Sequence, residues 1–96
     1  MALVVQKFGG TSVATAEARE ALAGQVARER AAGNRVVVVV SAMGRAGAPY
    51  ATDTLLGLVP DATPMVRDLV ASCGELISAC VVAELLRHDE IGRAHV

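Results

Sequence analysis

At 96 residues the chain has the length of one small domain, and a formal net charge of −1 provides no electrostatic footprint for nucleic acid. Apolar residues make up 53% of it, yet Phe8 and Tyr50 are the only aromatics, so Ala and Val must fill the core, as in tightly layered α/β proteins. No stretch holds about 18 consecutive apolar residues, and no basic segment precedes an apolar run and cleavage site, so the expectation is a cytoplasmic protein without a membrane span.

The first element is a strand over Leu3 to Phe8, and it ends in Lys7-Phe8-Gly9-Gly10-Thr11-Ser12. Two glycines can adopt φ > 0 and bring backbone N–H groups close to an anion, and Lys7 adds a compact positive charge beside them. The hexapeptide reads as a phosphate site or, more plainly, as a tight turn. A helix follows over Ala16 to Ala32, with Thr15 as N-cap, Glu17 and Glu20 early, and Gly33-Asn34 as its stop. Leu22 and Val26, with Ala18 and Ala23, give it a narrow apolar stripe, while Arg19, Arg28 and Arg30 mark the solvated side. Val36 to Val40 is an unbroken β-branched run that fits a strand covered on both faces. Strand, helix and strand form a βαβ unit with parallel strands. The loop at Lys7 to Gly10 and the loop Ser41-Ala42-Met43-Gly44 then emerge at carboxyl ends on one sheet edge, where ligands of open α/β sheets bind.

Gly44 to Ala51 is a Gly- and Pro-containing loop, after which Thr52 or Asp53 can cap a short helix carrying Leu55, Leu56 and Leu58. Beyond Pro60 and Pro64 a longer helix runs to about Arg87. One of its faces carries Val66, Leu69, Val70, Cys73, Ile77, Cys80 and Val81, and the opposite face is small, with Ala71, Ser78, Ala79 and Val82. The pattern predicts a helix buried nearly all round. Glu75 falls on the small face, where an unpaired carboxylate would cost several kcal/mol, so it needs a partner. That partner is a structural cation, bulk water at an exposed patch, or a cationic group on a substrate. Cys73 and Cys80 lie about two helical turns, roughly 10 Å, apart, too far for a mutual disulfide, and read as reduced core residues. Neither these cysteines nor His88 and His95 have metal-ligand spacing, so no side-chain metal site is expected.

The three segments Lys7-Phe8-Gly9-Gly10-Thr11-Ser12, Val40-Ser41-Ala42-Met43-Gly44 and Ser72-Cys73-Gly74-Glu75-Leu76-Ile77-Ser78, in this order and spacing, resemble the N-terminal part of an aspartokinase. The loop from Gly44 to Leu56 is similar to a version found in bacterial aspartokinases, including diaminopimelate-regulated ones. Neither the Walker pattern nor the dinucleotide fingerprint is present to compete. The resemblance implies an amino-acid-kinase (carbamate-kinase-like) fold, a three-layer αβα sandwich. It also implies phosphoryl transfer from MgATP to the side-chain carboxylate of L-aspartate, giving 4-phospho-L-aspartate on the way to lysine, threonine and methionine. Lys7 is then the catalytic residue, and Lys7, Phe8, Gly9, Gly10, Thr11 and Ser12 form the ATP-phosphate loop. Ser41, Thr52 and Glu75 match substrate-binding positions, with Glu75 on the aspartate ammonium. Mg²⁺ arrives with ATP, without a protein ligand in this chain, and the parent enzyme is expected to be a homo-oligomer. Without the resemblance, Ser41 reads equally as a hydroxyl finishing a strand and Thr52 as a helix cap.

The family's kinase domain is longer than this chain and is followed by regulatory domains, so residues 1–88 are expected to be an incomplete amino-acid-kinase domain, inactive alone. A five-valine strand also needs neighbours that two strands cannot supply. Another amino-acid kinase and a non-catalytic βαβ binding or dimerisation module are the competing readings. Residues 89–96 depart from the family pattern, and Ile91-Gly92-Arg93-Ala94-His95-Val96 can be encoded by ATC GGA AGA GCA CAC GTC, a string that resembles a sequencing adapter. The expectation is a non-native tail from read-through. Resequencing the source DNA across Arg87 should reveal adapter at this junction, and a native codon series for the tail would refute the idea.

Overall fold

Two parallel strands, β1 (Leu3–Phe8) and β2 (Arg35–Val40), pair in register from Leu3 opposite Arg35 to Phe8 opposite Val40. They belong to a computed structural model that describes the backbone of residues 1–94 and the side chains of residues 1–88. The crossover between them is helix α1 (Ala16–Ala31). It starts where Thr15 Oγ1 accepts the Ala18 amide at 3.1 Å, as its N-cap position predicts. It stops at Gly33, whose φ of +87° places it in the left-handed region. There the Gly33 amide donates to Arg30 O at 3.0 Å and the Asn34 amide to Glu29 O at 3.1 Å, which satisfies the last carbonyls of the helix. The Asn34 side chain also accepts the Ala2 amide at 2.9 Å and donates to Glu29 at 2.8 Å, tying the start of β1 to the end of α1.

Two further helices complete the described chain: α2 (Thr52–Leu56) and α3 (Pro64–Ala94). The core forms where α1 and α3 cover one face of the strand pair, around buried Phe8, Val13, Leu22, Val26 and Val82 with Val36, Val38 and Val40 packed against them. The other face carries Leu3, Val5, Val37 and Val39, and Val37 is still 45% exposed. Cover on both faces of the second strand is therefore not found among the described residues. Among the described residues one helical layer is present, and none packs on the far side of the sheet.

Helix α3 differs most from its sequence pattern. It runs past Arg87 to Ala94, and its buried line is Gly74, Ser78 and Val82, the small face. The larger apolar side chains Val66, Leu69 and Ile77 are exposed, with Leu69 at 62%. Cys73 and Cys80 are exposed free thiols rather than core residues. Glu75 is exposed as well, so the burial that was to force a partner on it does not occur. Close approach decides the outcome: a Cβ at Gly74 would lie 2.9 Å from Ala42 Cβ and 2.9 Å from Tyr50 O. Only the small face lets the helix come that near. Within Pro64–His88 the most apolar 18-residue stretch has mean hydropathy 1.9, so the helix is long and apolar enough to cross a membrane by length and composition, although charged residues interrupt it and no run of 18 consecutive apolar residues occurs. Its contact with the sheet through Val82 and Leu86 fits a core helix of a layered domain. The expected boundary and tail at 89–96 lie outside the residues whose side chains are described.

The packing predicts opposite outcomes for two buried side chains. Leu22 is 1% exposed, and Leu22→Ala should lower stability by about 2–5 kcal/mol. Ser78 is fully buried and its Oγ has no hydrogen-bond partner among the described residues, so Ser78→Ala should leave stability unchanged or raise it by about 1 kcal/mol. Urea denaturation of both variants checks the pair.

Candidate functional site

Both strands end at the same sheet edge, and the loops that leave them are interlocked. After Phe8 the chain passes through Gly9 in an extended conformation (φ −73°, ψ 176°) into a single 3₁₀ turn, Gly10–Ser12. The Ser12 amide donates to Gly9 O at 3.0 Å and the Val13 amide to Gly10 O at 3.4 Å. Among the described residues the amides of Gly9, Gly10 and Thr11 have no backbone carbonyl partner, which leaves them available to an anion. Neither Gly9 nor Gly10 uses the positive φ that the sequence suggested. Gly10 is required for a different reason: a Cβ there would lie 2.6 Å from Ala42 O and would collide with Gly44 O. In that close approach the Gly44 amide donates to Gly10 O at 2.9 Å. The left-handed residues at this edge are Gly44 (φ +86°) and Gly47 (φ +88°), where the second loop turns back on itself.

Between these loops and α3 lies a cleft of about 530 Å³. Gly10, Ser41, Gly44, Thr52 and Glu75 line it, together with Arg45 and Asp53. The three positions expected to bind substrate, Ser41, Thr52 and Glu75, thus line one cavity although they lie on a strand end, a short helix and the long helix. Thr52 and Glu75 are exposed to it and Ser41 is half-buried.

The phosphate loop borders the cleft through Gly10. Lys7 lies on the uncovered face of β1, opposite Val39, exposed and outside the lining. The Phe8 side chain belongs to the core, so this residue can serve a phosphate only through its backbone. Thr11 is exposed and Ser12 half-buried, neither in the lining. Arg45 and Asp53 are cleft residues that the sequence reading did not assign, and the available signal was their position flanking the glycine-containing loop. Neither Thr52 nor Asp53 caps α2, whose N-cap residue is Ala51 with no side-chain cap. The Asp53 carboxylate instead accepts the Gly47 amide at 3.0 Å. Among the described residues no group of three or more His, Cys, Asp or Glu side chains is placed to hold a metal ion.

Residues 2–95 match the amino acid kinase family. The chain belongs to that family. Aspartokinase 1 of Bacillus subtilis is 49% identical over 98% of this amino acid kinase chain, which spans 24% of that protein. The aspartokinase of Mycolicibacterium smegmatis is 47% identical over 86% of the chain and 20% of its own length. Among solved structures, aspartate kinase from Synechocystis superposes with a TM-score of 0.77 at 40% identity, covering 90% of this chain and 14% of that one. The chain spans about a quarter or less of the relatives it resembles, and its strand pair and helices are part of the amino-acid-kinase α/β fold.

Proposed function

We propose that this chain is the N-terminal part of an aspartate kinase, which transfers the γ-phosphate of ATP to the side-chain carboxylate of L-aspartate. The observation that carries the reading is the convergence of Ser41, Thr52 and Glu75 with Gly10 on one cleft, in a chain 49% identical to an aspartokinase. Glu75, exposed in the cleft, offers a carboxylate to the ammonium of an amino-acid substrate. Ser41 and Thr52 hold its acceptor end by hydrogen bonding. Phosphoryl transfer demands positioning and charge stabilisation more than covalent chemistry from the protein. The amides of Gly9, Gly10 and Thr11 and the Lys7 ammonium fit an ATP phosphate on the far side of the Gly10–Gly44 contact. Lys7, exposed on the uncovered face of β1, supplies its positive charge to the triphosphate from that side. The triphosphate supplies the transferable group, and Mg²⁺ enters with it rather than through a carboxylate of this chain.

The isolated chain is inactive on this reading, because the nucleotide-binding half of the domain and the cover of Val5 and Val37 come from elsewhere in a longer, homo-oligomeric, cytoplasmic enzyme. The pathway role is the step that commits L-aspartate to 4-phospho-L-aspartate.

In the full-length kinase, Lys7→Ala should lower kcat by about two orders of magnitude, roughly 2.7 kcal/mol of transition-state stabilisation. Glu75→Ala should act chiefly on the acceptor, raising the KM for L-aspartate by about tenfold or more while kcat changes less. Steady-state kinetics with MgATP and L-aspartate check both, and normal parameters in both variants would refute the assignment.

A further inference from the structure

The segment from Gly44 to Ala51 borders the cleft as a strap, with Gly44, Arg45, Ala46 and Ala51 in its wall, and side chains of the short helix that follows hold it. Thr54 Oγ1 donates to Ala48 O at 2.6 Å, and Asp53 Oδ2 accepts the Gly47 amide at 3.0 Å. Gly47 lies at φ +88°, so this hydrogen bond fixes the one left-handed residue in the middle of the strap. The strap is closed further by its own bonds, Ala48 N to Arg45 O at 2.9 Å and Ala51 N to Ala48 O at 3.2 Å. Its far end seats on α3, where Gly74 leaves room for Tyr50 O next to Glu75. The two side chains that follow Thr52 thus bond back to the strap rather than capping their own helix.

We propose that Asp53 and Thr54 are positioning residues that set the strap, and thereby Thr52 and Arg45, against Glu75 so that the cleft fits a small amino-acid acceptor. The proposal rests on the aspartate-kinase reading of the cleft. Asp53 acts through the acceptor capacity of its Oδ2 toward Gly47 and not through its charge. An Asn side chain can accept the same bond, and an Ala side chain cannot. Thr54 acts through its O–H, which Ser retains and the near-isosteric Val lacks. Both hydrogen bonds end on the strap and not on the phosphate loop, so their loss falls on the acceptor more than on the nucleotide.

Two measurements test this together. In the full-length kinase, Asp53→Ala and Thr54→Val should each raise the KM for L-aspartate at least fivefold, with kcat and the KM for MgATP within twofold of wild type. Asp53→Asn and Thr54→Ser should return the KM for L-aspartate to within twofold. In the 96-residue chain, hydrogen exchange at the Gly47 amide should quicken at least threefold in Asp53→Ala and recover in Asp53→Asn. Equal exchange in wild type and Asp53→Ala would remove the tie and overturn the proposal. So would an Asp53→Asn variant as impaired as Asp53→Ala, which would assign the effect to charge, or a quickened exchange with unchanged KM. A full-length wild type that does not phosphorylate L-aspartate would instead overturn the functional reading, while the exchange experiment would still report on the tie.

Discussion

The site depends on one backbone contact, the hydrogen bond from the Gly44 amide to Gly10 O at 2.9 Å. Each glycine is required by it in a different way. Gly10 has no Cβ to collide with the carbonyls of Ala42 and Gly44, and Gly44 turns the second loop through a left-handed conformation. Without the contact, two strand ends on the same edge would carry two independent loops. With it, the turn that exposes free amides and the strap that leads to Thr52 share a wall, and Ser41 and Glu75 close the cleft on either side. On the proposed reading, phosphate donor and carboxylate acceptor must meet within a few ångströms, and a shared wall is what such a meeting needs.

The same economy explains why helix α3 packs by its smallest residues. Gly74 brings the helix against Ala42 and the Tyr50 carbonyl, and Glu75 is carried to the cleft by its neighbour's lack of a side chain. The large apolar residues of the helix and the valines on the far face of β2 remain uncovered. The chain spans 24% of Aspartokinase 1 and 14% of the Synechocystis chain, and no described element covers either surface. Core stability here is confined to the space between α1, α3 and one face of the sheet.

Elements governed by local signals were legible in the sequence. Thr15, Gly33 and Asn34 mark the ends of α1 by hydrogen bonds to their own near neighbours, and the valine run marks β2 whatever packs on it. That the Lys7–Gly10 and Ser41 loops leave one sheet edge followed from the βαβ topology, whereas Thr52 and Glu75 were assigned to the same site by the family resemblance alone. What was not legible depends on contacts between distant segments. Gly10 was read for its backbone freedom, whereas its role is the approach of residues 42 and 44. Glu75 and the two cysteines were read as buried because a helical wheel ranks faces by hydrophobicity, and the structure chose the face by size. Thr52 and Asp53 were read as caps because their residue types favour it, but Asp53 bonds across the strap instead.

The measurement that bears most directly on the interlocked site is the paired affinity of a Gly10→Ala variant of the full-length kinase for MgATP and for L-aspartate. A methyl group there forces the two loops apart, so both affinities should fall together, each by about tenfold or more, the equivalent of roughly 1.4 kcal/mol apiece. A loss confined to MgATP, or no loss for either ligand, would contradict the account, because the two loops would then act separately.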